Sequence, residues 1–223
     1  MGLWGWQVLH QPVPGYAAAV FMLILLGSGS FDGLNETFWW FGLLGLNPLE
    51  FPGRSAVVAS SIWGLLFANA ALITIYAGAV ALGVRLAGQR GLGKFFRMFA
   101  PSILPIALGY HIAHYLTVFL VDGQYVLKMM NDPLRNGAEL LGMDHYHVTT
   151  GFLQTESTVR LIWLTQAGAV VVGHVVAILL AHALALRAFE TPRRAVLSQL
   201  PLSIFMVAYT FFGLWLLASP RGM

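Results

Sequence analysis

Residues 159–189, VRLIWLTQAGAVVVGHVVAILLAHALALRAF, decide the fold class of this chain. The hydrocarbon core of a bilayer is about 30 Å thick, so a helix needs about 20 mostly apolar residues to cross it. This stretch exceeds that length, and its only charged residues are Arg160 and Arg187. The sequence therefore predicts a membrane-spanning helix here.

Four further stretches have the same character, and the composition of the whole chain agrees with them. Of its 223 residues, 58% are hydrophobic and 9% are charged, whereas about a quarter of the residues of a soluble domain are charged. We therefore expect an all-α, polytopic integral membrane bundle that forms a single transmembrane domain over residues 1–223. The five predicted spans are 15–34, 55–86, 95–121, 159–189 and 195–218.

The positively charged residues indicate how the bundle is oriented. Seven of the twelve Lys and Arg residues lie in or beside the two loops that follow the second and fourth spans. Short cytoplasmic loops carry an excess of Lys and Arg. The pattern predicts a cytoplasmic N-terminus and an external C-terminus, in a bacterial inner membrane. The seven residues are Arg85, Arg90, Lys94, Arg97, Arg187, Arg193 and Arg194.

Two segments on the predicted external side are too long to be simple turns. The first, from Asn35, is rich in aromatic residues and ends at Pro48 and Pro52, which predicts a short helix lying in the membrane interface. The second covers residues 122–158, is polar, and is expected to fold back as a capping loop. Asp32 and Glu36 are assigned to this side as well, so no carboxylate is counted inside the spans.

Histidines within the predicted spans are the candidate functional residues. His111 and His114 share one face of the third span, while His174 and His182 run beside a ridge of small residues on the fourth. Ionisable groups in a membrane usually face a protein interior or a water-filled cavity. The sequence predicts a site built from His111, His114 and His174, with Tyr110, Gln166 and His182 as hydrogen-bonding partners or relay groups.

The capping loop suggests a second, external cation site. Its sequence DHYH places two histidines two positions apart. On an extended segment the two rings of such a pair point the same way, and imidazole is a ligand for divalent metals. The candidate ligands are Asp144, His145, His147 and Glu156.

Several activities find no support in the sequence. The chain has no cysteine, which excludes thiolate metal sites, iron–sulfur clusters and cysteine nucleophiles. It has no Gly-x-Ser-x-Gly elbow, His-Glu-x-x-His motif or P-loop. No basic–aromatic face suits a nucleic acid. We therefore do not favour an enzyme, and we expect no nucleic-acid partner.

Three functions stay open. The first is a membrane subunit whose histidines bind a transition metal, copper or zinc, or relay protons or cations. The second is a haem b-binding redox subunit, although His111 and His174 would lie at depths about 15 Å apart. The third is a packing or scaffold subunit that holds no cofactor. In each case the partners are lipid and either other membrane subunits or further copies of this chain.

Overall fold

The computed structural model describes residues 9–50, 54–143 and 147–221. Within these ranges, five helical segments are long and apolar enough to cross a membrane. The described residues are 81% helical and contain no strand. The predicted all-α polytopic fold is confirmed. The helices are α1 (Tyr16–Asn35), α2 (Phe38–Leu43), α3 (Val58–Leu86), α4 (Leu92–Phe99), α5 (Leu104–Asn131), α6 (Glu156–Ala188) and α7 (Pro192–Ala218).

The third spanning segment is built from α4, a 3-10 turn at Ala100–Ile103, and α5. Pro101 lies in that turn and Pro105 in the first turn of α5. Proline is tolerated at such positions, because the first turn of a helix leaves its N–H groups without helical partners anyway. The prolines therefore separate α4 from α5 without ending the spanning segment.

The helix α5 extends ten residues past the predicted end of its span at 121, to Asn131. A helix satisfies its own backbone hydrogen bonds in lipid and in water, so it need not end where the apolar run ends. Gln124, on this extension, binds both backbone groups of Thr149: its Nε2 donates to the carbonyl at 3.0 Å, and its Oε1 accepts from the amide at 2.9 Å. The loop thus folds back along α5.

The spanning helices pack in a closed order around the bundle. α1 contacts α3 and α5, α6 contacts α5 and α7, and α7 contacts α3. α5 and α6 approach each other closely at two glycines. A Cβ added at Gly109 would lie 2.6 Å from the carbonyl oxygen of Ala169. A Cβ added at Gly173 would lie 2.5 Å from the carbonyl oxygen of Pro105. Gly173 belongs to the ridge of small residues that recur every four positions on α6 from Thr165 to Ala185, a feature typical of helix contacts in membranes.

The outer surface and the two ends of the bundle suit a membrane. Phe67 and Phe211 are 76% and 69% exposed, as expected of side chains that face lipid. The end at which α1 begins and α3 ends carries Arg85, Arg97 and Arg187, and is called the arginine end. The opposite end, where α1 ends and α6 begins, carries Asp32, Glu36 and Glu156, and is called the carboxylate end.

Candidate functional site

A polar cluster links α1 to α5 near the carboxylate end. The Nε2 atom of His114 lies 2.9 Å from Oδ2 of Asp32, and the Tyr115 hydroxyl donates to the same oxygen at 2.7 Å. The side chain of Asp32 is 43% exposed and that of His114 is 12% exposed. Hydrogen bonds to an ionised acceptor are roughly twice as strong as those between neutral groups. One carboxylate oxygen therefore joins an imidazole and a phenol.

Glycines on α1 let these histidines approach. A Cβ added at Gly29 would lie 3.2 Å from Cε1 of His111, and one at Gly33 would lie 3.6 Å from Nδ1 of His114. Both rings therefore lie against the bare backbone of α1. The i, i+4 spacing of the two glycines is typical of close helix contacts in membranes. It brings the two predicted histidines to α1.

His111 lies about one turn deeper in the bundle than His114. Its Nδ1 is 2.7 Å from the carbonyl oxygen of Ala107. Because a carbonyl only accepts hydrogen bonds, we assign the proton to Nδ1, which leaves Nε2 of the neutral ring as an acceptor. The ring of His111 lines a cavity of about 510 Å³ together with Asp32 and Tyr115.

This cavity is a groove, hereafter the Asp32 groove. Residues of α1, α3 and α5 line it, together with Phe41 of α2. On the α3 wall, the hydroxyl oxygen of Ser61 is buried and has no hydrogen-bond partner in the described part of the chain. Besides Asp32, His111 and Tyr115, the lining includes Ser28, Glu36, Val58, Ser61 and Ile62.

A second carboxylate, that of Glu36, lies at the same end of α1. It is 3.6 Å from Nη1 of Arg221, which follows α7. The backbone N–H of Phe38 donates to the carbonyl of Pro220 at 3.0 Å, so the ends of α1 and α7 are held together. Thr37 then caps α2 by accepting from the amide of Trp40. These contacts fix the point at which α2 leaves α1, beside the groove.

His174 lies in a different part of the bundle. It is 3% exposed, its Nδ1 is 2.8 Å from the carbonyl oxygen of Val170, and its ring faces that of Tyr110 with centroids 6.3 Å apart. The Nε2 atom is buried and has no hydrogen-bond partner among the described residues. The Tyr110 hydroxyl donates instead to the carbonyl of Tyr209 at 2.9 Å. Tyr110 therefore packs beside His174 and hydrogen-bonds to α7.

The other two predicted partners on α6 make interhelical hydrogen bonds. Nε2 of Gln166 donates to the carbonyl of Ala113 on α5 at 2.7 Å. The Gln199 amide of α7 binds Nδ1 of His182. Such bonds join helices in a membrane, with about 0.6 kcal/mol each on average. The structure thus gives Gln166 and His182 a role in helix packing.

Two of the four predicted ligands of the external cation site lie within the described residues. Asp144 and His145 lie outside the described residues. His147 is exposed, and Glu156 is the exposed first residue of α6. As far as the loop is described, none of its residues lines the Asp32 groove. The loop packs along the extension of α5 instead.

The three predicted metal ligands do not come together. His111 and His114 face α1. His174, which belongs to α6, lies beside Tyr110 instead. Within the described ranges, no group of three His, Asp or Glu side chains lies close enough to hold a metal ion. A copper, zinc or haem b site at these histidines has no support here and stays a prediction.

Asp32 is the candidate that sequence reasoning missed. It is counted among the residues on the external side, yet it lies inside α1, three residues before the helix ends at Asn35. The sequence does contain a signal, because the predicted span 15–34 includes position 32. Gly29 and Gly33 flank the position and mark a helix contact. A charge inside a spanning helix is a functional candidate by default.

Comparison of this chain with protein-family models, with curated proteins and with solved structures gives no match.

Proposed function

We propose that this chain is an integral membrane subunit that exchanges protons, or a small cation, at Asp32, His114 and Tyr115. The observation that carries the proposal is the shared oxygen, since Oδ2 of Asp32 is 2.9 Å from His114 Nε2 and 2.7 Å from the Tyr115 hydroxyl. A carboxylate and an imidazole in contact are two groups that can gain and lose protons. Imidazole in general does so near neutral pH.

The position of the cluster supports exchange with one side of the membrane. The Asp32 side chain is 43% exposed and borders the groove, so a proton can enter and leave there. His111 continues the path about one turn deeper. We assign His174 and His182 as inner relay groups, a role that His182 would have in addition to its packing contact with Gln199. They are eight residues apart on α6, which is about 12 Å, so proton transfer between them requires intervening water.

The geometry favours a proton over a transition metal at this cluster. Asp32 and His114 are two ligands, whereas a zinc site uses at least three protein ligands. Elemental analysis of the purified protein tests this preference. A near-stoichiometric amount of copper or zinc would favour a bound cation, and iron would favour haem b.

Orientation and partners belong to the same proposal. The arginine-rich loops favour a cytoplasmic N-terminus in a bacterial inner membrane, which directs the carboxylate end and the Asp32 groove to the external side. A chain with five spans is small for a self-sufficient transporter. We therefore propose that it works with other membrane subunits or with further copies of itself.

A second candidate function is a packing subunit of a membrane complex. It is favoured by the hydrogen bonds of Gln166 to Ala113 and of Gln199 to His182, which hold helices together. In that case, the cluster at Asp32 has the same structural role between α1 and α5. The two functions differ in whether removal of the Asp32 charge changes transport or only stability.

Proton flux into vesicles distinguishes the two functions. The full chain is reconstituted with a trapped pH-sensitive dye, and a potassium gradient with valinomycin drives proton entry. We expect wild-type vesicles to acidify faster than protein-free vesicles, and Asp32→Asn to slow the rate about tenfold or more. Glu156→Gln, which removes an exposed carboxylate at the same end, is the matched control and should leave the rate unchanged.

Two results would contradict the proposal. Equal flux in Asp32→Asn and wild type would remove the cluster from any proton path. Wild-type vesicles as tight as protein-free vesicles would favour the packing subunit.

A further inference from the structure

We infer that the projecting end of α5 pairs in parallel with the same segment of a second copy of this chain. The inference goes beyond the proposed function, because such a pair forms whether the chain exchanges protons or only packs in a complex. It rests on how far α5 projects from the bundle, on the apolar side chains exposed there, and on the length of helix needed to cover them.

The end of α5 projects beyond the start of α6 at the carboxylate end. The two helices are antiparallel and meet where Gly109 contacts the backbone of Ala169. Thirteen residues after Gly109 is Asp122, and thirteen residues before Ala169 is Glu156, the first residue of α6. The two carboxylates therefore lie at about the same level, where the lipid-compatible part of the bundle ends. The nine residues of α5 after Asp122 reach about 13 Å farther.

This projecting segment has one polar face, which is occupied, and a broad apolar face, which is exposed. On the polar face, Gln124 binds both backbone groups of Thr149, and Oδ1 of Asn131 accepts from the amide of Leu141 at 2.8 Å. Large apolar patches that face water are rare and mark contact surfaces. The exposed apolar residues of the segment are Tyr125, Val126, Leu127, Met129 and Met130.

The exposed apolar face is continuous with the lipid-facing surface of α5. Ile112, Phe119, Val126 and Met130 are all exposed, and their spacing of seven, seven and four residues places them within about 40° of one line along the helix. We call these four residues the α5 stripe. A helix that covers Val126 and Met130 continues along Phe119 into the bilayer, so the occupant of the stripe is itself a spanning helix.

The length of that occupant identifies it as α5 of a second copy. It has to remain helical for about 13 Å past the level of Asp122. Among the described spanning helices, α6 begins at that level, α1 ends three residues after Asp32, α3 begins at the Asp32 groove, and α7 ends beside α1. Only α5 reaches far enough. A second copy inserted in the same direction presents its own α5 at the same height.

The stripe is also suited to contact itself. A twofold axis along the membrane normal places the same surface of each copy in contact, so the surface must be complementary to itself. The four residues of the stripe carry no charge. Asp122 lies about 60° to one side of Phe119, and the axis places its two copies on opposite sides of the pair. Lys128 lies on the other face of the helix, so no like charges meet.

Disulfide formation can test the inference, because the chain has no cysteine and a single introduced one reports contact between copies. Val126→Cys places a thiol in the α5 stripe. Lys128→Cys is the matched control, since Lys128 is exposed at nearly the same height on the other face of α5. Each purified full-length variant is reconstituted in vesicles at a low and a high lipid-to-protein ratio and oxidised with copper phenanthroline, and the covalent dimer is measured on a denaturing gel.

We expect Val126→Cys to give the same yield of covalent dimer at both lipid ratios, because a stable pair does not depend on collisions. Lys128→Cys should cross-link only at the low ratio. Adding Met130→Lys to Val126→Cys should lower the yield about tenfold or more, since two like charges then meet across the axis. Adding Gln89→Lys, which introduces the same charge at the exposed loop of the arginine end, should leave the yield unchanged.

The side chain of Met130 is exposed, so Met130→Lys should fold, and its thermal unfolding midpoint in detergent checks this. Three results would overturn the inference. They are equal yields from positions 126 and 128 at the high lipid ratio, a yield from position 126 that falls in proportion to lipid dilution, and a yield that Met130→Lys leaves unchanged. None of them changes the proton flux of vesicles, so a failure here is distinguishable from a failure of the proposed function.

Discussion

Asp32 of α1 and His114 of α5 meet at 2.9 Å through a single carboxylate oxygen, which also accepts from Tyr115. The contact lies where Gly33 presents its backbone to the imidazole. The cluster therefore depends on the close approach of two helices, and its energy is part of the energy that holds them together. Stability and any proton chemistry are thus coupled at this point.

A double-mutant cycle measures that coupling. Asp32→Ala, His114→Ala and the double variant are unfolded in mixed micelles, and the free energies of unfolding are compared. We expect a coupling energy of about 0.5–1 kcal/mol, a modest value because Asp32 is 43% exposed and solvent screens the pair. Asp32→Ala combined with His182→Ala is the control, since these residues lie at opposite ends of the bundle. A coupling of zero for the first pair would mean that the contact stabilises nothing.

Close packing of α5 on α6 makes a second prediction. Gly109→Ala places a methyl group 2.6 Å from the carbonyl oxygen of Ala169, whereas a Cβ at Gly123, on the same helix, meets nothing within 4 Å. We expect Gly109→Ala to lower the free energy of unfolding by about 1–3 kcal/mol, because the backbones must move apart. Gly123→Ala should be neutral or stabilise by up to about 1 kcal/mol through helix propensity. Equal stability of the two variants would contradict the observed helix spacing.

Substitution of the buried His174 can distinguish a packing role from a role as a metal ligand. Its Nε2 is buried without a hydrogen-bond partner in the described structure, and such an atom costs about 1–3 kcal/mol. His174→Leu should therefore retain or raise the free energy of unfolding, whereas Gln166→Leu, which loses the bond to Ala113, should lower it by about 0.6 kcal/mol. Loss of a stoichiometric metal from His174→Leu would instead identify His174 as a ligand.

The five spanning helices could be predicted from sequence because each contains a long apolar run, and the length of such a run follows from the thickness of the bilayer. The ends of the helices could not be predicted as well. The predicted span 15–34 ends one residue before α1 does at Asn35, but Asp122 was expected in a loop and α5 continues past it to Asn131. A charge ends the lipid-compatible run, but it does not break the backbone hydrogen bonds of a helix.

The partners of the histidines were harder still to predict. His111 and His114 were expected to face His174 on α6, and they face Gly29 and Gly33 on α1 instead. Helical periodicity places residues on one face of their own helix, but it does not say which other helix lies opposite. Gly29 and Gly33 carry that information, since closely spaced small residues mark where two backbones approach.

The orientation of the bundle is the last prediction, and two fusions test it together. α1 begins at the arginine end, and the link between Phe38 and Pro220 places the end of α7 at the carboxylate end, so the start of α1 and the end of α7 lie at opposite ends of the bundle. We expect a periplasm-active phosphatase to be active when fused after residue 221 and inactive when inserted at Gly88, in the loop after α3. The reverse pattern would keep the five crossings and turn the Asp32 groove toward the cytoplasm, so the proton-uptake side would change with it. Activity at both positions, or at neither, would contradict the number of crossings between them.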